Sequence, residues 1–166
     1  MAIKLKDPVI LNPDMDPEKE QISVRKVKGY NNGTTRAVMI VRDHIVVTDE
    51  RGTNTAATPL ETLLSSLLGC KCAIIHKVAA AMRFDFSAIE LDAVADLDMR
   101  GINGVRGVRP YFSKVDLIIK VCSNESEKKF DRLLKNVEYR CPVMNLFVSA
   151  DVEVNIDWQL IPANEG

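Results

Sequence analysis

The chain lacks an imbalance of charge. Its 22 Lys and Arg meet 23 Asp and Glu, leaving a formal net charge of −1. Nothing here draws it strongly to nucleic acid or to an anionic membrane. The two local basic spots, Arg25–Lys28 and Arg100–Arg109, read as solvated loop and strand faces. A long apolar run near the start is also missing: "MAIKLKDPVILNPDMDPEKE" is interrupted by charges throughout, unlike a secretory signal. The run from Thr62 to Cys70 is about half of the roughly 20 residues that a membrane span needs, and Lys71 and Lys77 interrupt its continuation. No internal repeat, low-complexity tract or linker is visible. The cysteines show neither C-x₂-C spacing nor an H-x₃-H partner, which argues against a metal site. The expectation is a cytoplasmic protein without a cofactor, a nucleic-acid partner or a membrane partner. Its four cysteines are then expected to rest as thiols.

What is present fits one domain with its own core, since 166 residues are enough for that. Residues 1–20 carry three prolines and many charges and read as an extended arm, with a single domain over 21–166. "QISVRKVKGY" reads as a strand and "NNGTT" as a hairpin turn, because Asn-Gly supplies the positive φ that tight turns need. "RAVMIVRDHIVVTD" reads as one long strand or two broken near Arg42–His44. Thr58, Pro59 and Glu61 then make a helix start with a capping box. That helix should run to about Arg83. It is apolar around most of its circumference, so it should be buried on most sides.

Further strands are expected around Ile89–Leu97, Val115–Val121 and Val152–Leu160, from their alternation. An amphipathic helix carrying Phe130, Leu133, Leu134 and Val137 is expected before a break at Pro142 and a short further helix. The order β-β(-β)-α-β-β-α-β implies an α+β fold with antiparallel sheet and helices covering one face. A sheet of this size covers only one side of so apolar a helix. A homodimer with the central helices at or near its interface resolves the deficit.

The thiols carry the chemistry. Cys122 ends a strand and reads as packing. Cys70 and Cys72 lie two apart, so on a helix they point about 200° from each other and cannot chelate one metal together. Cys141 stands at the Pro142 break, where a thiol can face the central helix. One thiol on a buried helix and another at a break beside it suit a cysteine oxidised to sulfenic acid and trapped by a resolving cysteine. Spacing alone leaves open whether the two meet.

"TPLETLLSSLLGC" followed by a distal "CPV" resembles the OsmC/Ohr family, the osmotically inducible and organic-hydroperoxide-resistance proteins. The "DHIVVTDE" hairpin and the element order from Ile89 to Leu160 match as well, over about residues 20–161. The resemblance implies an OsmC-like fold with antiparallel sheets wrapped around long central helices, in an intertwined homodimer. It implies thiol-dependent reduction of hydroperoxides, with a dithiol, lipoyl in one branch, as reductant. By position it makes Cys70 the peroxidatic and Cys141 the resolving cysteine. An arginine from the N-terminal hairpin would hold the thiolate, with Arg36 preferred slightly over Arg42. The family's glutamate after the helix-start proline is Leu60 here, and the acid is Glu61, one residue or about 100° further round.

A cation is needed on physical grounds, since Cys70 lies too far along its helix to gain much from the dipole and burial raises a thiol's pKa. His76 lies on the wrong side of the helix, and Lys71 and Lys77 are expected to reach solvent or an interface edge. Two other readings stand beside the peroxidase. One is a non-catalytic OsmC-like protein binding a small apolar or thiol ligand. The other is a metal protein using Cys70, Cys141 and His76.

Overall fold

The computed structural model describes residue 5 and residues 7–163. Residues 1–4 and 6 of the expected arm, and residues 164–166, lie outside the described residues. The described residues form two compact units, one of residues 12–66 and one joining the described residues before 12 to residues 67–163.

The first unit holds a three-stranded antiparallel sheet of β1 (Lys28–Asn31), β2 (Ala37–Val41) and β3 (His44–Thr48), in that order. Gly33 takes the left-handed φ of +87° in the first turn, and Arg42 takes φ +56° in the two-residue turn between β2 and β3. The long apolar stretch is therefore two strands, not one. The strand expected from Gln21 begins only at Lys28. Its register pairs Lys28 with Ile40, so residues further upstream run past the end of β2, where the chain turns at Arg42. Ile22 and Val24 are accordingly exposed.

Helix α1 spans Pro59–Met82, close to the expected limits. Its start is the expected capping box: the Thr58 N–H donates to Glu61 Oε2 at 2.7 Å, and the Glu61 N–H donates to Thr58 Oγ1 at 3.2 Å. By length and composition alone α1 would suffice to cross a bilayer. Its buried stripe, however, is narrow and one-sided: Leu67, Lys71, Ile75, Val78 and Ala79, spaced three and four apart as on a core-facing helix.

In the second unit, β4 (Ala88–Asp96), β5 (Lys114–Cys122) and β6 (Glu153–Ile161) form a sheet in that order. A short helix α2 (Met99–Ile102) lies in the connection between β4 and β5, followed in the chain by α3 (Glu127–Arg140) and α4 (Pro142–Ser149). The sheet is mixed, which corrects the expectation of antiparallel pairing: β4 and β5 are antiparallel, but β6 runs parallel to β5. The chain leaves β5 at Cys122, crosses back through α3 and α4, and re-enters beside Lys114, the end where β5 began, which gives parallel pairing. Central β5 alternates cleanly, with Val115, Leu117, Ile119 and Val121 buried. Ile119 and Val121 pack with Ile75, Val78 and Ala79 of α1 and with Phe130, Leu133 and Val137 of α3.

The segment Asp7–Val9 is strapped onto α3. The Val9 N–H donates to Asn136 Oδ1 at 2.8 Å, Arg140 donates to the Val9 carbonyl, and Arg132 pairs with Asp7 at 2.7 Å. Asn136 is almost fully buried and satisfies otherwise stranded backbone groups.

The capping box gives a direct check. Thr58→Ala should lower unfolding free energy by about 1 kcal/mol, read by urea denaturation, and leave the thiol chemistry of the second unit unchanged.

Candidate active site

Two sulfurs meet in the second unit. Cys70 Sγ, on the fourth turn of α1, lies 3.3 Å from Cys141 Sγ, which donates to it as a thiol. All four cysteines are free. Cys141 is fully buried, whereas Cys70 keeps some exposure. The local sequence explains the placement. Cys141 closes α3 through its N–H to the Val137 carbonyl and caps α4, with Pro142 at the first helical position. Its carbonyl accepts from both the backbone and the side-chain N–H of Asn145. Helix direction changes at this one residue, and its side chain turns inward.

Cys141 titrates above the ordinary thiol value. Burial is the main cause. The nearby Met144 N–H, which closes no full capping hydrogen bond, and the Lys71 charge pull the other way.

Lys71 is the residue that sequence reasoning placed wrongly. It reaches neither solvent nor an edge: it is 0% exposed and fills the middle of the apolar stripe of α1. Its Nζ donates to the Met144 thioether at 2.8 Å and lies 5.9 Å from the centroid of the Trp158 ring. Trp158 Nε1 in turn donates to Glu138 Oε1 at 2.9 Å. Among the described residues no carboxylate forms an ion pair with Lys71. Burial pulls its pKa down, and the negative charge that Cys141, Glu138 and Cys70 can carry opposes this. The signal was available in its spacing: Lys71 sits four residues from Leu67 and four from Ile75, the heart of the buried face.

The other expected site residues fall elsewhere. Cys72 is half-buried on α1, and Cys122 ends β5. His76 is exposed and packs edge-on against Phe86 with centroids 4.9 Å apart. Among the described residues no group of three or more His, Cys, Asp or Glu is placed to hold a metal ion.

Within the first unit, Arg36 is held by a relay. Its Nη1 donates to Thr55 Oγ1 at 3.0 Å, and Thr55 Oγ1 donates to Asp49. Asp49 also accepts from Thr35 Oγ1 at 2.7 Å and from the Glu50 N–H at 2.7 Å. These hydrogen bonds, Thr55 first, hold its carboxyl far below the usual carboxylate range. Arg42 stands in the tight β2–β3 turn. Glu61 is engaged in the capping box of α1.

A family model described as OsmC-like protein matches residues 52–157, and the chain belongs to this family. The fold is shared with solved relatives. An OsmC-like protein from Mycoplasma pneumoniae superposes with TM-score 0.75 at 18% identity, covering 85% of this chain and 99% of that one. An organic hydroperoxide resistance protein OsmC from Legionella pneumophila gives 0.59 at 13% identity, covering 86% and 99%. The organic hydroperoxide resistance protein OhrB of Bacillus subtilis gives 0.55 at 15%, covering 83% and 98%. No curated protein matches the sequence.

The Asp49 relay predicts a pH signature. A carboxyl whose folded pKa is lowered stabilises the fold above its unfolded value, and that gain fades only as pH falls through the lower, folded value. Asp49→Ala should therefore be less stable than the parent at neutral pH. The gap should persist to about pH 5 and close only in stronger acid. Urea titrations at several pH values would read it, and a gap vanishing between neutrality and about pH 5 would contradict the relay.

Proposed function

We propose that this protein is a thiol-dependent peroxidase that reduces hydroperoxides, organic ones in particular, through Cys70 and Cys141. The observation that supports it most is the 3.3 Å separation of the two sulfurs. A disulfide needs about 2.0 Å, so closure asks for a shift of little more than about 1 Å. The difference in exposure fits the two roles: Cys70 can be reached by a peroxide, and Cys141 waits behind it.

In the proposed cycle the Cys70 thiolate attacks one peroxide oxygen and the O–O bond breaks. The alkoxide leaves as an alcohol after taking a proton, and Cys70 is left as a sulfenic acid. The Cys141 sulfur then attacks Cys70 Sγ, water departs, and the disulfide forms. A dithiol reductant, of which a dihydrolipoyl group is one candidate, restores both thiols and is itself oxidised to a disulfide. Arg36 and Arg42 are the proposed holders of the peroxidatic thiolate. Arg36 is preferred because Thr55 already fixes its guanidinium. Glu61 is the acid of the proposed set, although its carboxylate is committed to the helix cap.

We place this chemistry in one OsmC-like domain over residues 21–166, in an intertwined cytoplasmic homodimer. Apolar side chains left bare on the single chain, such as Leu146 on α4 and Val94 on β4, support a partner surface. The engagement of Glu61 in capping favours the second reading, a non-catalytic OsmC-like protein binding a small apolar or thiol ligand, and peroxide titration separates the two.

Cys70→Ser should abolish consumption of cumene hydroperoxide with a dithiol reductant. Cys141→Ser should allow one turnover and then stall. Full activity in Cys70→Ser would refute the peroxidase reading, and absence of thiol oxidation by a few equivalents of peroxide would favour the binding one. Light scattering should give twice the 18.5 kDa chain mass for the dimer.

A further inference from the structure

A lysine fully enclosed in an apolar core, with a thioether as its hydrogen-bond acceptor, is an expensive placement that packing does not explain. A leucine or methionine would fill the stripe of α1 between Leu67 and Ile75 without that cost. The groups around Lys71 indicate why an amine stands there. Cys70 precedes it on α1. Met144, its acceptor, lies on the first turn of the helix that Cys141 caps. Glu138 faces it from α3, already engaged by the Trp158 indole of β6. These are the titratable groups whose charge acts on it, Cys141 foremost among them. The buried side chains of β5, Val115, Leu117, Ile119 and Val121, are all apolar.

Cys141 has the opposite difficulty. To attack a sulfenic acid it must shed a proton and carry negative charge at a position that water does not reach. We propose that Lys71 is the proton and charge partner of Cys141 in closing and opening the Cys70–Cys141 disulfide. This rests on the redox reading of the thiol pair.

In closure the Lys71 amine accepts the Cys141 proton. The Cys141 sulfur attacks Cys70 Sγ, the S–O bond of the sulfenic acid breaks, and the leaving hydroxide takes the proton back to become water. In opening, an external thiolate attacks the more accessible Cys70 sulfur and the S–S bond breaks. The electron pair goes to Cys141, whose thiolate is met by the Lys71 ammonium. The second thiol of the reductant then releases Cys70 from the mixed disulfide. Burial of Lys71 lowers its pKa, which brings the amine form within reach of the proton exchange. Reductant therefore adds at Cys70 and not at Cys141, because exposure and charge both direct the leaving group inward.

The test uses the full chain, with the disulfide closed by diamide, an oxidant that is not a peroxide. Failure of the peroxidase reading would then leave this measurement intact. Lys71→Met keeps length and apolarity and should fold. Near pH 7 its closure and its opening by dithiothreitol should both slow by at least about tenfold. The closure deficit should shrink several-fold near pH 10, where hydroxide can take the thiol proton. Lys71→Arg restores charge but cannot exchange a proton at these pH values, so it should rescue opening more than closure. With a monothiol such as 2-mercaptoethanol, the trapped mixed disulfide should map to Cys70 by mass spectrometry. The proposal is overturned if Lys71→Met closes at the parent rate, if its deficit is equal at every pH, if diamide leaves the pair reduced, or if the adduct maps to Cys141.

Discussion

The second unit depends on one change of direction. α3 ends and α4 begins at Cys141, because Pro142 has no N–H to continue the first helix and its fixed φ suits the start of the second. That junction sets a side chain facing α1 that a continuous helix would have carried elsewhere. The junction is held from behind by Asn145, whose two N–H groups bond the Cys141 carbonyl, and by the packing of Phe130, Leu133 and Val137 against β5. The position of one sulfur is thus set by a whole helix pair, and Cys70 needs only to lie on the adjoining face of α1.

The electrostatics of the site are those of a closed space. Neither a thiolate nor an ammonium is favoured alone where water is excluded, and each makes the other tolerable. Cys141 is raised and Lys71 lowered for the same reason, burial. The neutral pair and the ionised pair therefore lie closer in free energy than they would for independent groups. Small changes at Cys70, which would alter charge and bonding through the proposed cycle, are then able to move a proton.

Much of this was legible in the residues. The capping box of α1, the inward alternation of β5 and β6 and the break at Pro142 all follow from local rules of period and punctuation, whereas spacing left the meeting of Cys70 with Cys141 open and the family resemblance implied it. What was not legible depends on tertiary context. Lysine at a core position violates the rule that charges face water, so Lys71 was assigned outward although its spacing pointed inward. β1 begins late because β2 ends at Val41, just before the turn at Arg42, which the residues of β1 do not encode. The parallel pairing of β6 follows from a crossover through two helices, whereas short connections elsewhere favour antiparallel neighbours. The relay from Asp49 through Thr55 to Arg36 joins a strand end to a loop, and no periodic signal marks it.

The two sulfurs are 71 residues apart in sequence. A bond between them would close a ring containing the β4–β5 hairpin and the whole of α3. A cross-link spanning that many residues removes enough freedom from the unfolded chain to stabilise the fold by about 4 kcal/mol. The thermodynamic cycle runs both ways: whatever oxidation adds to the fold, the fold adds to the oxidised bond. A folded chain thus holds its disulfide more firmly than the unfolded peptide would, and loosening around α4 would ease its release. Melting temperature becomes a direct reporter of the redox state of the core.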